Sequence, residues 1–223
     1  QRFFTMIYNS FSCIFSVIAK VFLAFFFFIN CDPISFRINT PLFKLKLFMV
    51  KKLLVNWDDY NHTVEKLAIQ VHDSGFKPDL LIGIMRGGAP IIDVLSRIFK
   101  IKCAYLAVES YSGEDLEDQQ GQIIFSREMS STVHSMGGNI LLCDDLSDTG
   151  VTLKQSIAWL EKYPAIKDNI KKIRTAVLWK KSHSTYEPDY CANKLDDNPW
   201  IVQPFENYEL LSIEEIKKIH SKF

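Results

Sequence analysis

Between Ile140 and Thr152 the chain reads Ile-Leu-Leu-Cys-Asp-Asp-Leu-Ser-Asp-Thr-Gly-Val-Thr, an apolar run that ends in two acids and then breaks into small residues. Consecutive apolar residues suit a strand covered on both faces, as in a parallel sheet. From Leu153 to Lys162 the spacing of Leu153, Ile157 and Leu160 is helical. The segment is therefore expected to form strand, turn and helix, with the turn at the carboxyl end of the strand. Such a turn aims backbone N–H groups and the Thr149 and Thr152 hydroxyls at one point. That point lies in front of a helix N-terminus, whose partial positive charge favours an anion. Asp144 and Asp145, when ionised, are acceptors only, suited to a vicinal diol or a divalent cation. Phosphate and diol together describe a ribose 5-phosphate.

Composition narrows the class without naming a partner. The 223 residues are 48% hydrophobic and 23% charged, enough for a core. Lys plus Arg equals Asp plus Glu at 26 each, so no overall field draws in nucleic acid and any anion site must be local. Cys13, Cys31, Cys103, Cys143 and Cys191 show neither a disulfide framework nor metal-ligand spacing, which points to a reducing, cytoplasmic setting. His62, His72, His134, His183 and His220 show no such spacing either and read as surface residues.

The chain divides by composition at Met49. Residues 1–48 hold an apolar run from Phe11 to Ile29 that approaches the length of a membrane span, with Lys20 in its middle. A central lysine costs about 2.5 to 3.5 kcal/mol on insertion, which the phenylalanines offset in part. Membrane anchor, targeting peptide and spurious upstream translation are all open for this extension, and a membrane is a partner only in the first case. A chain starting at Met49 is expected to keep full activity.

Residues 49–223 read as one domain of alternating elements. Asp58 and Asp59 cap a helix with an apolar face of Tyr60, Val64, Leu67, Ala68 and Val71, ending at Gly75. Pro78–Met85 reads as strand, Pro90–Phe99 as helix and Cys103–Ser110 as strand, a right-handed crossover onto a parallel sheet. A long polar loop, Tyr111–Gly138, has the makings of a lid, with a short strand at Gln122–Phe125. Lys172–Trp179 is a further strand, and Ile213–Lys222 a last amphipathic helix. The expected fold is α/β: a doubly wound, mostly parallel sheet flanked by helices, with sites beyond the carboxyl ends of its strands.

Arg86, Gly87 and Gly88 follow the strand Leu80–Met85, so they too lie at a strand end, where glycines admit a ligand and a guanidinium suits phosphate. Together with Ile140–Thr152 they carry a resemblance to type I phosphoribosyltransferases, the first stretch being similar to the family's pyrophosphate loop and the second to its motif for phosphoribosyl pyrophosphate. The resemblance implies a cis peptide between Met85 and Arg86, a flexible lid and a small C-terminal hood over the base. Lys180, followed later by Trp200-Ile201-Val202-Gln203-Pro204-Phe205-Glu206, is similar to the base pocket of the xanthine-guanine and hypoxanthine (6-oxopurine) members.

The resemblance implies that Lys180 donates to the purine O6, Trp200 stacks on the base and Ile201 offers backbone contacts, with Lys181 the alternative if the register slips by one. It also implies that Asp148 is the general base, that Asp148, Thr149, Gly150, Val151 and Thr152 hold the 5-phosphate, and that Mg2+ meets Asp144, Asp145 and Glu206. The product would be a nucleoside 5-monophosphate of purine salvage, made by a homo-oligomer. Val151, Phe205 and Glu206 depart from the usual family pattern. So does the acidic loop carrying Glu114, Asp115, Glu117, Asp118 and Glu128 against Arg127. A transferase for another base, or a non-catalytic sensor of phosphoribosyl pyrophosphate, is the rival expectation.

Overall fold

A computed structural model describes residues 51–110, 123–131 and 136–221, all within the unit Met49–Phe223. The anchor, signal and upstream-translation readings of residues 1–48 lie outside the described residues, as does most of the expected lid.

The first strand, β1 (Lys52–Leu54), leads into helix α1 (Trp57–Asp73). Asn56, not Asp58 or Asp59, is the N-cap, its side chain accepting the Asp59 N–H at 2.8 Å. The two acids fall in the first turn, where the helix dipole favours them. The apolar face is the expected one, with Tyr60, Val64, Leu67, Ala68 and Val71 buried. Strand β2 (Leu80–Met85), helix α2 (Gly88–Phe99) and strand β3 (Cys103–Ser110) follow as a parallel crossover unit. The short β4 (Ile123–Phe125) and β5 (Ser130–Ser131) run antiparallel against β3.

Strand β6 (Gly138–Ser147) outlasts its apolar run. Pairing with the next long strand, β7 (Ile170–Lys180), carries it through Asp144 and on to Ser147, so the acids project from strand and not from turn. Helix α3 (Val151–Leu160) lies between them in sequence. Strands β8 (Tyr190–Lys194) and β9 (Trp200–Val202) come next, then the one-turn helix α4 (Asn207–Leu210) and helix α5 (Ile213–His220), whose Ser212 and Glu215 form a capping box.

The main sheet has the order β4-β3-β2-β6-β7-β8, parallel from β3 through to β8. After β2 the chain moves outward to β3; from β6 it moves the other way, to β7 and β8. Between β2 and β6 lies the switch point where the connections diverge and a crevice opens at the carboxyl ends. Side chains alternate across the sheet: Leu81, Leu141 and Ala176 pack under α1 and α2, while Ile82, Leu142 and Val177 pack under Leu153 and Leu160 of α3. The doubly wound, mostly parallel fold is thus the one expected.

A second, two-stranded sheet pairs β1 with β9 in parallel, Lys52 opposite Trp200. Phe205 fastens this region to α1, with its ring 6.3 Å from Trp57 and edge-on to Tyr60 at 5.9 Å. Cys103, Cys143 and Cys191 are free thiols. Among the described residues no helix is long and apolar enough to cross a membrane.

Candidate functional site

The predicted groups on β2 and β6 meet at the switch point. The Met85–Arg86 peptide is cis, as the resemblance implied. The chain here passes so closely over β6 that a Cβ on Gly87 would lie 2.4 Å from Asp145 Oδ1, and one on Gly88 would lie 2.4 Å from the Cys143 carbonyl oxygen. Only backbone fits there. The Arg86 guanidinium does not point across at the acids. It is solvent-exposed and paired with Glu209 of α4 at 2.6 Å, a partner that sequence spacing could not indicate.

Asp144 is buried, with 8% of its surface exposed, and Asp145 beside it is half-buried. Asp144 Oδ1 accepts the Asp145 N–H at 3.0 Å. Burial first, and the neighbouring Asp145 charge second, hold the Asp144 carboxyl well above the usual carboxylate range. Burial also raises Asp145, opposed by hydrogen bonds from its surroundings, including Gln203 Nε2 on Oδ2 at 2.7 Å. Glu206 is raised by burial and then by Asp145. Gln203, which the sequence did not single out, is 1% exposed, and its Oε1 has no partner among the described residues.

Asp144, Asp145 and Glu206, expected as metal ligands, do not form a three-donor cage: among the described residues no cluster of three or more His, Cys, Asp or Glu is arranged to hold a metal ion. The pair Asp144 and Asp145 still fits Mg2+, which keeps several waters and takes one or two carboxylates plus substrate phosphate oxygens. Two adjacent carboxylates that repel each other are stabilised by an incoming cation.

The turn between β6 and α3 is clamped from outside. Gly150 adopts φ +84°, which an L side chain resists, and a Cβ there would meet that of Tyr186 at 2.3 Å. No side chain caps α3, so its first-turn N–H groups are left facing outward from the N-terminus apart from Val151, whose N–H reaches Thr149 Oγ1 at 3.4 Å. The Thr149 carbonyl accepts both the N–H and the hydroxyl of Thr185, each at 3.1 Å. Val151 and Thr152 open the helix, with Val151 exposed.

On the far side of this turn lie Lys180 and Lys181, the two lysines weighed for the base. Lys180 pairs with Glu187 at 3.2 Å. Lys181 is the lysine beside Asp148, its Nζ 3.1 Å from Oδ1. The strand ends at Lys180, and the first residue of the following turn, not the last of the strand, swings over Asp148. His183 Nε2 reaches the same Oδ1 at 2.8 Å from the exposed position expected of it. Trp200 is 58% exposed at the start of β9, while Ile201 is buried beneath it. Of the acidic loop, Glu128 accepts the Tyr163 hydroxyl at 3.2 Å, beyond the end of α3 remote from the site; Glu114, Asp115, Glu117 and Asp118 lie outside the described residues. Two concavities elsewhere, of about 540 Å³ along Leu54, Trp57 and Tyr208 and about 400 Å³ along Arg127, Trp159 and Tyr163, contain none of Arg86, Asp144, Asp145, Asp148, Lys180, Lys181 and Trp200.

Residues 56–210 match the family described as the phosphoribosyl transferase domain. Among solved structures, the purine phosphoribosyltransferase of Pyrococcus horikoshii Ot3 is similar at a TM-score of 0.56 and 26% identity, over 70% of this chain and 93% of that one. The xanthine-guanine-hypoxanthine phosphoribosyltransferase of Helicobacter pylori shares the fold at a TM-score of 0.58 and 21% identity, over 76% and 99% respectively. Human phosphoribosyltransferase domain-containing protein 1 is 26% identical over 140 residues, 57% of this chain, and the match spans 59% of that relative's length.

Proposed function

The chain belongs to the phosphoribosyl transferase domain family, with the type I fold, and from that premise we propose that it moves the phosphoribosyl group of phosphoribosyl pyrophosphate onto a 6-oxopurine. The products are a nucleoside 5-monophosphate and pyrophosphate, and the enzyme works in purine salvage as a homo-oligomer. The observation that carries this reading is the closure of the 86–88 turn onto Asp145 at the switch point, with Asp148 and its lysine on the next turn. One doubly phosphorylated sugar spans that distance with a diol in its middle.

In this reading the 5-phosphate sits on the 149–152 turn, where uncapped N–H groups meet it. Asp144 and Asp145 accept from the 2- and 3-hydroxyls and face the positive charge that grows on the ribose as the bond to pyrophosphate breaks. The Gly87 and Gly88 backbone receives the leaving pyrophosphate, and Arg86 joins it by giving up Glu209. Magnesium bound with the sugar would be held by Asp144 and Asp145 and would neutralise charge on the pyrophosphate.

At the other end, Trp200 presents an open face for the base and Ile201 its backbone. Lys181, rather than Lys180, donates to O6, because it shares the neighbourhood of Asp148. Asp148 takes the N7 proton as the purine N9 attacks the anomeric carbon. Holding sugar and base in line is worth more than any single contact here.

The decisive assay mixes the full chain with Mg2+, phosphoribosyl pyrophosphate and, in turn, xanthine, guanine, hypoxanthine, adenine, orotate and uracil. Nucleotide from at least one of the first three, and from none of the last three, is expected. Nucleotide from adenine, orotate or uracil alone, or from none of the six, contradicts the assignment.

A further inference from the structure

Resting on the reading above, we propose that Gln203 is a positioning residue for the sugar: it fixes the rotation of the Asp145 carboxylate so that this acid accepts from a ribose hydroxyl. Gln203 directly follows β9 and is 1% exposed. Its Nε2 donates to Asp145 Oδ2 at 2.7 Å, across 58 residues of sequence. An ionised carboxylate only accepts, so a side-chain amide can meet it only through its nitrogen, and the contact has one orientation. The donor is neutral. It turns the carboxylate without cancelling the charge that faces the ribose as the bond to pyrophosphate breaks.

Gln203 is held in its turn by backbone. The Val202 carbonyl accepts the Val55 N–H at 3.0 Å, and the Gln203 carbonyl accepts the Glu206 N–H at 3.1 Å. Two residues on, the Phe205 ring packs edge-on to Tyr60 at 5.9 Å. The Asp145 carboxylate also lies against Gly87, where an added Cβ would come within 2.4 Å of Oδ1. A glycine backbone and a buried amide therefore bound this half-buried acid, and they leave it little room to rotate.

Packing alone does not explain an amide here. Gln203 Oε1 is buried with no hydrogen-bond partner among the described residues, and a buried acceptor left unmatched destabilises a fold. Methionine, unbranched and flexible, would fill the same space without that penalty. What glutamine supplies and methionine lacks is the N–H on Asp145.

The test is a calorimetric comparison of two nucleotides on the full chain, for wild type and Gln203→Met. One is the 6-oxopurine nucleoside 5-monophosphate that wild type binds most tightly; the other is its 2,3-dideoxy form, which lacks the diol. Wild type should prefer the diol form about tenfold or more, as hydrogen bonds to a charged group allow. In Gln203→Met the preference should shrink to about threefold or less, while affinity for the dideoxy form stays within about twofold of wild type. A residue that only supports the fold would weaken both forms alike, because they differ solely in the hydroxyls that meet the acids. A Gln203→Met chain that keeps the wild-type preference overturns the proposal, as does one that loses both nucleotides in parallel. A wild-type chain that binds neither nucleotide, or both equally, overturns the parent reading together with this one; a discriminating wild type with an indifferent variant overturns this one alone.

Discussion

The two halves of the site are built on different principles. The half proposed for the sugar lies where β2 and β6 pair in the middle of the sheet. Asp144 there is buried and Asp145 half-buried, the glycines touch backbone and carboxylate directly, and the turn before α3 is pinned by Thr185 and Tyr186. The half proposed for the base lies at the sheet's β7 side and on the two-stranded β1–β9 pair, where Trp200 is exposed and contacts run through side chains of scattered origin. A rigid half suits the group common to every phosphoribosyl transfer; an open half made of turns is where a particular base is chosen.

Substitutions can break or sharpen that contrast. The largest effect is expected for Asp148→Asn, which sits on the sugar half's turn yet serves the base: turnover should fall about 100- to 10,000-fold while calorimetric affinity for phosphoribosyl pyrophosphate changes little. Parallel losses in both would assign Asp148 to the sugar half alone. Next is Trp200→Ala, where loss of stacking should weaken base binding by about 1 to 3 kcal/mol, read as a raised KM for the purine with Tm unchanged. A drop in Tm would show that Trp200 supports the fold instead.

The smallest effect is one of stability. Because the folded state raises the Asp144 carboxyl, the stability it contributes is full in acid, where it is protonated folded or unfolded. It is lost as pH rises through the raised value. Asp144→Asn should therefore stabilise the free protein by about 1 kcal/mol at neutral pH, with the gain vanishing in acid and activity lost throughout. Calorimetric melting across pH checks this, and an Asn variant that melts lower at neutral pH contradicts it.

The same contrast explains what the sequence made legible. Asp144 to Thr152 form one contiguous strand, turn and helix, and Arg86-Gly87-Gly88 directly follow a strand, so the sugar half could be read locally and the sheet with it. The base half could not. Lys181, and not Lys180, meets Asp148 because β7 runs one residue further than its apolar pattern. His183 reaches Asp148 only through the path of a turn. Gln203 meets Asp145 from 58 residues away in sequence, and Glu209 meets Arg86 across 123. The three-residue strands β1 and β9 are too short for periodicity to mark. Asn56 does not stand out as the helix cap because the two acids beside it offer the same chemistry.

The most direct measurement is a crystal structure of the full chain with Mg2+ and phosphoribosyl pyrophosphate. The expected result is a sugar lying across the switch point, its 5-phosphate on the Thr149–Thr152 turn, its hydroxyls on Asp144 and Asp145, and its pyrophosphate on Arg86, Gly87 and Gly88. A sugar bound elsewhere, or one whose hydroxyls avoid both acids, would contradict it.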